Sequence, residues 1–138
     1  MSEVCGGPRE VALRFVERIN HGDAAGLETL MTEDHVLRVF DEPPQRGRPA
    51  VAEGWRGYAS AFPAYTIYPH RVAVRRNQVA ILGHTTGSHL GLPDEEESKL
   101  TLIWLVEVEG ERVAAWILIE DTPDHRRVYG LDSAERGH

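Results

Sequence analysis

The sequence predicts an α+β domain in which three N-terminal helices pack on an antiparallel sheet. In the first third of the chain, apolar residues recur every three or four positions, as on one face of a helix. The last third instead contains two almost wholly apolar stretches, residues 100–108 and 114–119, with Gly110 and Glu111 between them. Such stretches around a glycine turn are typical of a β-hairpin. Helices followed by neighbouring strands indicate the α+β class.

Two helices are predicted before residue 30. The first covers residues 8–20, because Pro8 suits a first helical turn and Gly22 suits the left-handed residue that ends a helix. Asp23 is a typical N-cap for a second, shorter helix. The apolar faces of the two helices are Val11, Ala12, Phe15, Val16 and Ile19 in the first and Leu27, Leu30 and Met31 in the second.

The middle of the chain is predicted to form one short strand and the third helix. The strand covers residues 36–40 and is ended by Pro43 and Pro44. The helix begins at Pro49 and ends before Pro63. Further strands are predicted over residues 65–74, 79–90, 99–109 and 113–121, and an exposed loop with three consecutive glutamates over residues 91–98.

Length and composition limit the possible classes of protein. The 138 residues suit one domain, which we expect over residues 9–131, with flexible tails at 1–8 and 132–138. A net charge of −7 argues against a nucleic-acid partner, and every apolar run is shorter than the ~20 residues of a membrane-spanning helix. The N-terminus has no pattern of a secretory signal, and the single Cys5 fits a reducing cytoplasm, where we expect the protein.

Both faces of the predicted strand over residues 99–109 are apolar. One face carries Leu102, Trp104 and Val106, and the other carries Ile103 and Leu105. One face can pack on the helices, so the other would be an exposed apolar patch. The sequence therefore predicts a homodimer formed through the sheet.

Several short motifs occur in order along the chain. They are Phe15-Val16, Asn20-His21-Gly22-Asp23, Leu30-Met31-Thr32-Glu33-Asp34, Gly47, Phe62-Pro63, Gly87-Ser88-His89-Leu90-Gly91, and Trp116 with Glu120-Asp121. With the order of elements, these motifs resemble the nuclear-transport-factor-2-like superfamily, and most closely its SnoaL-like polyketide cyclases and ketosteroid-isomerase-like proteins. The resemblance spans residues 9–131 and implies a cone, in which a strongly curved sheet wraps around the helices. It also implies a cofactor-free pocket for a small apolar or aromatic molecule.

The chain departs from the ketosteroid-isomerase-like pattern at three positions. Phe15 stands where the resemblance places a tyrosine that donates to the oxyanion, and Val39 stands near the position of the proton-shuttling aspartate. Trp104 stands near the position of a further acid. The steroid mechanism is therefore not expected. The SnoaL-like cyclases use an acidic residue on the last strand, where this chain has Glu120 and Asp121.

Glu120 and His89 are the candidate catalytic residues. Alternation along the last strand places Trp116, Leu118 and Glu120 on one face, and the resemblance turns that face to the interior of the cone. A carboxylate that is partly buried beside an indole ring is suited to proton transfer, and His89 could assist it. The alternatives are that Glu120 pairs with an arginine or caps the strand end, and that His89 lies at the rim and bonds solvent or the backbone.

The pocket is expected to be lined by large apolar side chains together with one hydroxyl group. The predicted ligand-binding residues are Trp55, Tyr58, Trp104, Trp116, Phe15 and Val39. Each of the aromatic residues could instead only fill the core. No metal-binding pattern occurs among the histidines, so no metal is expected, and the resemblance implies no other cofactor. Two functions remain open: a cofactor-independent cyclase, isomerase or lyase acting on a carbonyl compound, or a non-catalytic module that binds a ligand or a protein.

Overall fold

The protein folds as one curved six-stranded sheet with helices on both faces in the computed structural model, which describes residues 7–134. The helices are α1 (Pro8–Asn20), α2 (Ala24–Thr29), α3 (Arg48–Ala61), α4 (Asp94–Glu97), α5 (Pro123–Val128) and α6 (Leu131–Ala134). The strands are β1 (Met31–Val39), β2 (Gln45–Arg46), β3 (Thr66–Arg75), β4 (Gln78–Thr86), β5 (Leu102–Glu109) and β6 (Arg112–Glu120). The predicted fold class is confirmed.

The strands lie in the order β2-β1-β6-β5-β4-β3, and every neighbouring pair except β1 with β6 is antiparallel. The parallel β1–β6 pair places Leu37 beside Trp116 and Val39 beside Leu118. The sequence predicts an antiparallel sheet, and the β1–β6 pair is the exception. A parallel pair needs a long connection, and the chain from α3 to β5 supplies it.

Helix α1 has its predicted bounds, and α2 begins where predicted, after Asp23. Helix α2 ends at Thr29, however, so Leu30 and Met31, predicted on its apolar face, lie at its C-cap and at the start of β1. Helix α1 has Pro8 in its first turn, and the Asp23 side chain caps α2 by accepting a 2.9 Å hydrogen bond from the backbone N–H of Gly26. Helix α3 begins at Arg48, one residue before the predicted Pro49, and ends at Ala61, before Pro63 as predicted. The strand predicted over residues 79–90 ends earlier, at Thr86, and the predicted loop over residues 91–98 contains helix α4.

The inner face of the sheet forms the main core with α1, α2 and α3. Its fully buried side chains include Val11 and Phe15 of α1, Val51 of α3, Ile81 of β4 and Trp104 of β5. The predicted division of β5 into two faces is correct, since Trp104 and Val106 join this core while Ile103 and Leu105 face the opposite side.

The C-terminal segment of residues 122–134 covers the outer face of the sheet. Leu131 is fully buried there against a second apolar cluster that includes Leu82, Ile103 and Leu105, and Tyr129 packs on the same cluster. The expected exposed apolar face is therefore absent from the described residues, because α6 occupies it. The homodimer through the sheet was predicted from that exposed face, which the described residues do not show.

Polar contacts attach this segment to the sheet at both ends. Asp121, just after β6, accepts two 2.7 Å hydrogen bonds from the Arg126 guanidinium and one of 2.5 Å from the Thr101 hydroxyl. These hydrogen bonds, those from Arg126 first, hold the pKa of Asp121 below its usual value. At the far edge of the sheet, the Arg75 guanidinium donates to the backbone carbonyl of Val128 at 2.6 Å.

The two predicted tails are only partly described. Pro8 already belongs to α1, and the rest of the N-terminal prediction, including Cys5, lies outside the described residues apart from Gly7. At the other end, residues 132–134 belong to α6, whereas 135–138 lie outside the described residues. Within residues 7–134, no helix combines the length and the apolar character needed to cross a bilayer.

His35 of β1 is a fully buried polar residue in the inner core. Its Nδ1 lies 2.6 Å from the backbone carbonyl of Val113, and its ring stacks on Phe15 with centroids 5.8 Å apart. Nδ1 must carry the proton that this carbonyl accepts, and Nε2 is buried without a hydrogen-bond partner. Burial lowers the pKa of His35, while the hydrogen bond to Val113 opposes that effect.

Replacing Leu131 by alanine should lower the free energy of unfolding by about 2–5 kcal/mol, the usual cost of emptying a buried leucine site. Urea denaturation of the variant measures this loss. Val128→Ala is the control, because Val128 lies in the same segment but is 53% exposed. A loss for Leu131→Ala no larger than that for the control would contradict the burial of the outer face beneath α6.

Stability should decrease as the pH falls below about 6.5, the pKa of an unfolded histidine, in part because of His35. Below that pH the unfolded chain binds a proton that folded His35, with its lowered pKa, does not bind. NMR titration of the His35 ring tests this: its midpoint should lie below about 6.5, the value of an unfolded histidine. A midpoint for His35 at or above about 6.5 would be inconsistent with a neutral, buried ring.

Candidate functional site

A pocket of about 220 Å³ opens between α3 and the ends of strands β1 and β6. It is lined by Leu37, Val39, Gln45, Gly54, Trp55, Tyr58, His89, Trp116 and Leu118. Most of these side chains are apolar, and the polar ones come from β2, from α3 and from the turn after β4. Concave, mostly apolar space with a few converging polar groups is the usual form of a small-molecule site.

The pocket walls follow from the strand register and the helix period. Leu37 and Val39 of β1 lie directly beside Trp116 and Leu118 of β6, so these four side chains form one continuous wall. The opposite wall is α3, where residues three positions apart share a face. Trp55 and Tyr58 have this spacing, and their rings meet edge to face with centroids 6.4 Å apart.

Tyr58 and His89 form the polar end of the pocket. The Tyr58 hydroxyl lies 2.9 Å from Nδ1 of His89 and accepts a 3.2 Å hydrogen bond from the His89 backbone N–H. The Tyr58 ring also contacts the rings of Phe62 and Tyr65, with centroid distances of 4.8 and 4.9 Å. The phenol is thus held by ring contacts on its sides and by His89 at its tip.

The environment of Tyr58 keeps its hydroxyl protonated. Burial raises the pKa of Tyr58 above its ordinary value, the hydrogen bond from His89 opposes this effect, and the negative charge of Glu97 adds to it. Burial also raises the pKa of the neighbouring Tyr65. At neutral pH Tyr58 is therefore a neutral phenol that can donate a hydrogen bond.

Glu97 is the residue of this region that the sequence analysis missed. It is 1% exposed, although it was predicted to lie in an exposed loop. Its carboxylate accepts a 2.5 Å hydrogen bond from the Thr85 hydroxyl and a longer one, 3.4 Å, from the backbone N–H of Ser88. The sequence gives little indication that Glu97 is buried, because a run of glutamates is typical of a solvated surface. Its hydroxyl partner, Thr85, lies twelve positions earlier in the chain.

The structure brings together five of the predicted site residues but not the others. Val39, Trp55, Tyr58, His89 and Trp116 all line the pocket. Phe15 and Trp104 do not; both are fully buried behind Trp116, with ring centroids 4.9 and 6.5 Å from the Trp116 ring. Their place in the expected pocket lining is thus wrong, because Trp116 separates them from the open space.

Glu120 lies outside the pocket. Alternation along β6 correctly places Trp116 and Leu118 on the pocket wall, but Glu120, at the end of the strand, is exposed in an open depression beside Phe40 and Leu100. The expectation of a partly buried carboxylate is wrong, because the strand extends beyond the pocket before Glu120 is reached. The neighbouring Asp121 is bound by Arg126.

Metal-ligating side chains do not cluster at the pocket in the part of the chain that the structure describes. Within residues 7–134, no three histidine, cysteine, aspartate or glutamate side chains converge on a common point. The polar side chains of the pocket, Tyr58, His89 and Gln45, can form hydrogen bonds inside the apolar walls, and the phenol and the imidazole can also transfer a proton.

Comparisons with known proteins agree with this architecture. The sequence matches the family model described as SnoaL-like domain over residues 12–116. A cystatin-fold protein from Novosphingobium aromaticivorans has a TM-score of 0.72 at 16% identity, over 84% of this chain and 100% of its own. A candidate polyketide cyclase from Sinorhizobium meliloti has a TM-score of 0.64 at 19% identity, over 79% of this chain and 93% of its own.

An epoxide hydrolase from M. tuberculosis, described as LEH-like, has a TM-score of 0.62 at 14% identity, over 94% of this chain and 86% of its own. No protein of curated function matches the sequence. At these identities, the structural similarity shows the fold alone.

Proposed function

Because the chain belongs to the SnoaL-like domain family, we propose that it binds a small, neutral, apolar or aromatic carbonyl compound and exchanges a proton with it. The observation that carries this proposal is the 2.9 Å contact between Tyr58 and His89 at the polar end of an otherwise apolar pocket. The reaction is of the cyclase, isomerase or lyase type and needs no cofactor. Proteins with this fold include a candidate polyketide cyclase and an epoxide hydrolase.

The pocket walls support the choice of ligand. About 220 Å³ corresponds to the liquid volume of about seven water molecules, which suits a compound of one or two rings. The rings of Trp55 and Trp116 favour a flat, apolar body. None of the described lining residues is a lysine or arginine, so a carboxylate or phosphate would be buried without a cationic partner.

Tyr58 is the proposed donor to the carbonyl oxygen. Its oxygen has two lone pairs and one proton. When Nδ1 of His89 carries a proton, both the Nδ1–H and the backbone N–H of His89 donate to the Tyr58 oxygen. The phenolic proton is then free to point at a ligand oxygen, where it would stabilise negative charge that develops during the reaction.

His89 is the proposed base. With Nδ1 protonated, Nε2 of the neutral ring has a free lone pair that can take a proton from the carbon next to the carbonyl. The C–H electron pair moves toward the carbonyl oxygen, which Tyr58 holds, and an enolate results. Return of the proton from Nε2 to carbon or oxygen regenerates neutral His89.

One observation favours a second function, binding without catalysis. No carboxylate lines the pocket among the described residues, and Glu120, the acid expected from the sequence, is exposed outside it. Without a catalytic carboxylate, the same pocket would hold the carbonyl compound through Tyr58 and the tryptophans but leave its carbon-bound protons in place.

Hydrogen–deuterium exchange into a bicyclic aromatic ketone such as 1-tetralone separates the two functions. In D₂O the protein should accelerate exchange of the protons next to the carbonyl, as followed by proton NMR. The His89→Asn variant should no longer accelerate the exchange. The ketone should still bind to it and quench its tryptophan fluorescence. Tyr58→Phe should weaken ketone binding about tenfold, the worth of one hydrogen bond, and slow exchange as well.

Tyr68→Phe is the control, because Tyr68 is a partly exposed tyrosine that does not line the pocket. Binding without accelerated exchange would establish the non-catalytic function. Failure of the protein to bind any neutral aromatic ketone would refute the proposal itself. Equal losses of ketone binding and of deuterium exchange in Tyr58→Phe and Tyr68→Phe would also contradict it. The Tyr58 hydroxyl would then contribute no more than a hydroxyl outside the pocket.

A further inference from the structure

The turn that carries His89 is held at three consecutive residues. Gly87 has a positive φ of 71°, and a Cβ there would lie 2.5 Å from the backbone oxygen of Ala64, so the turn lies directly on the segment after α3. Ser88 donates its backbone N–H to Glu97, and His89 contacts Tyr58 through both its backbone and its ring. The position of His89 in the pocket thus depends on contacts from three directions.

Among these contacts, Glu97 alone offers a buried charge. The carboxylate reaches the interior from the short helix α4, whose other members Asp94, Glu95 and Glu96 are exposed. Both groups that face it, the Thr85 hydroxyl and the Ser88 N–H, act as donors. Each donor meets its own carboxylate oxygen, Thr85 at Oε2 and Ser88 at Oε1, so Glu97 bridges the two groups.

We propose that Glu97 is a positioning residue of the pocket, whose buried carboxylate ties the turn at Ser88 to strand β4 and so holds His89 against the Tyr58 hydroxyl. This inference rests on the proposed function, because it gives a role in proton exchange to a residue that does not touch the ligand. It also explains why a carboxylate is buried beneath a run of exposed glutamates.

The charge of Glu97 has a second effect on the same pair of residues. It contributes, after burial, to the raised pKa of Tyr58 and acts in the same direction on Tyr65. The carboxylate therefore supports the protonated phenol that the proposed function requires. The fixed turn and the protonated phenol are separate consequences of Glu97, and each has its own measurement.

The test replaces Glu97 by glutamine, which can still accept from Thr85 but presents an NH₂ group in place of the second acceptor. We expect amide exchange at Ser88 and His89 to accelerate at least about tenfold, since hydrogen bonds to charged groups are worth that much or more. The absorbance titration of Tyr58, assigned as the step missing in Tyr58→Phe, should shift to lower pH. Neither measurement requires a ligand.

Glu95→Gln is the matched control, because it removes an equal charge from an exposed position of the same helix. It should change neither the amide exchange nor the tyrosine titration. Wild-type amide exchange at Ser88 and His89 in Glu97→Gln would overturn the proposal. An unchanged Tyr58 midpoint would overturn only the second effect, the support of the protonated phenol. If Glu97→Gln does not fold, Thr85→Val removes the hydroxyl partner instead, and wild-type exchange at Ser88 and His89 in that variant would overturn it equally.

The ketone assay keeps this inference distinct from the proposed function. If both hold, Glu97→Gln slows deuterium exchange into the ketone while Glu95→Gln does not. If the amide and tyrosine measurements change as expected but the wild-type protein binds no ketone, the proposed function fails and the positioning of His89 by Glu97 stands. If the ketone reacts and Glu97→Gln leaves the amides unaffected, only the role of Glu97 fails.

Discussion

The constraint on which the structure depends is that strands β5 and β6 are apolar on both faces. A sheet with two apolar faces must be covered on both of them, and in this protein elements of the same chain cover both. Helices α1, α2 and α3 cover the inner face, while the C-terminal segment, anchored by Asp121 and Leu131, covers the outer face. What the sequence suggests as a surface for a second subunit is thus occupied by the protein's own C-terminal residues.

The pocket exists because the helices do not cover the whole inner face of the sheet. Near the start of α3 the helix packs closely on the sheet, with Val51 fully buried, but further along Trp55 and Tyr58 face open space. Trp116 is shared by the two regions, since it packs on Phe15 behind and lines the pocket in front. The pocket floor is therefore part of the core, and its shape is set by the same contacts that stabilise the fold. The polar end, by contrast, is assembled from α3 and the turn after β4.

Regular periodicity explains what the sequence could predict. The helix over residues 8–20, the hairpin around Gly110 and the shared face of Trp116 and Leu118 all follow from repeats of 3.6 or 2 residues, and all are observed. The incorrect predictions concern how far the pocket extends along a strand and which segments distant in sequence pack together. Alternation assigns Glu120 to a face but does not say where the pocket ends along it. The burial of Glu97 against Thr85, and of Leu131 against the outer face, depends on chain segments that no local pattern connects.

A crystal structure of the protein with a bound aromatic ketone tests the central claim most directly, namely that Tyr58 and His89 act together on a carbonyl group inside the apolar pocket. The expected result is a ketone oxygen within about 3.0 Å of the Tyr58 hydroxyl, the usual limit of an O–H···O hydrogen bond. The ring should lie between Trp55 and Trp116, and the carbon next to the carbonyl should face Nε2 of His89. A ketone bound outside this pocket, or bound in it with the oxygen turned toward Leu37 and Val39, would contradict the claim.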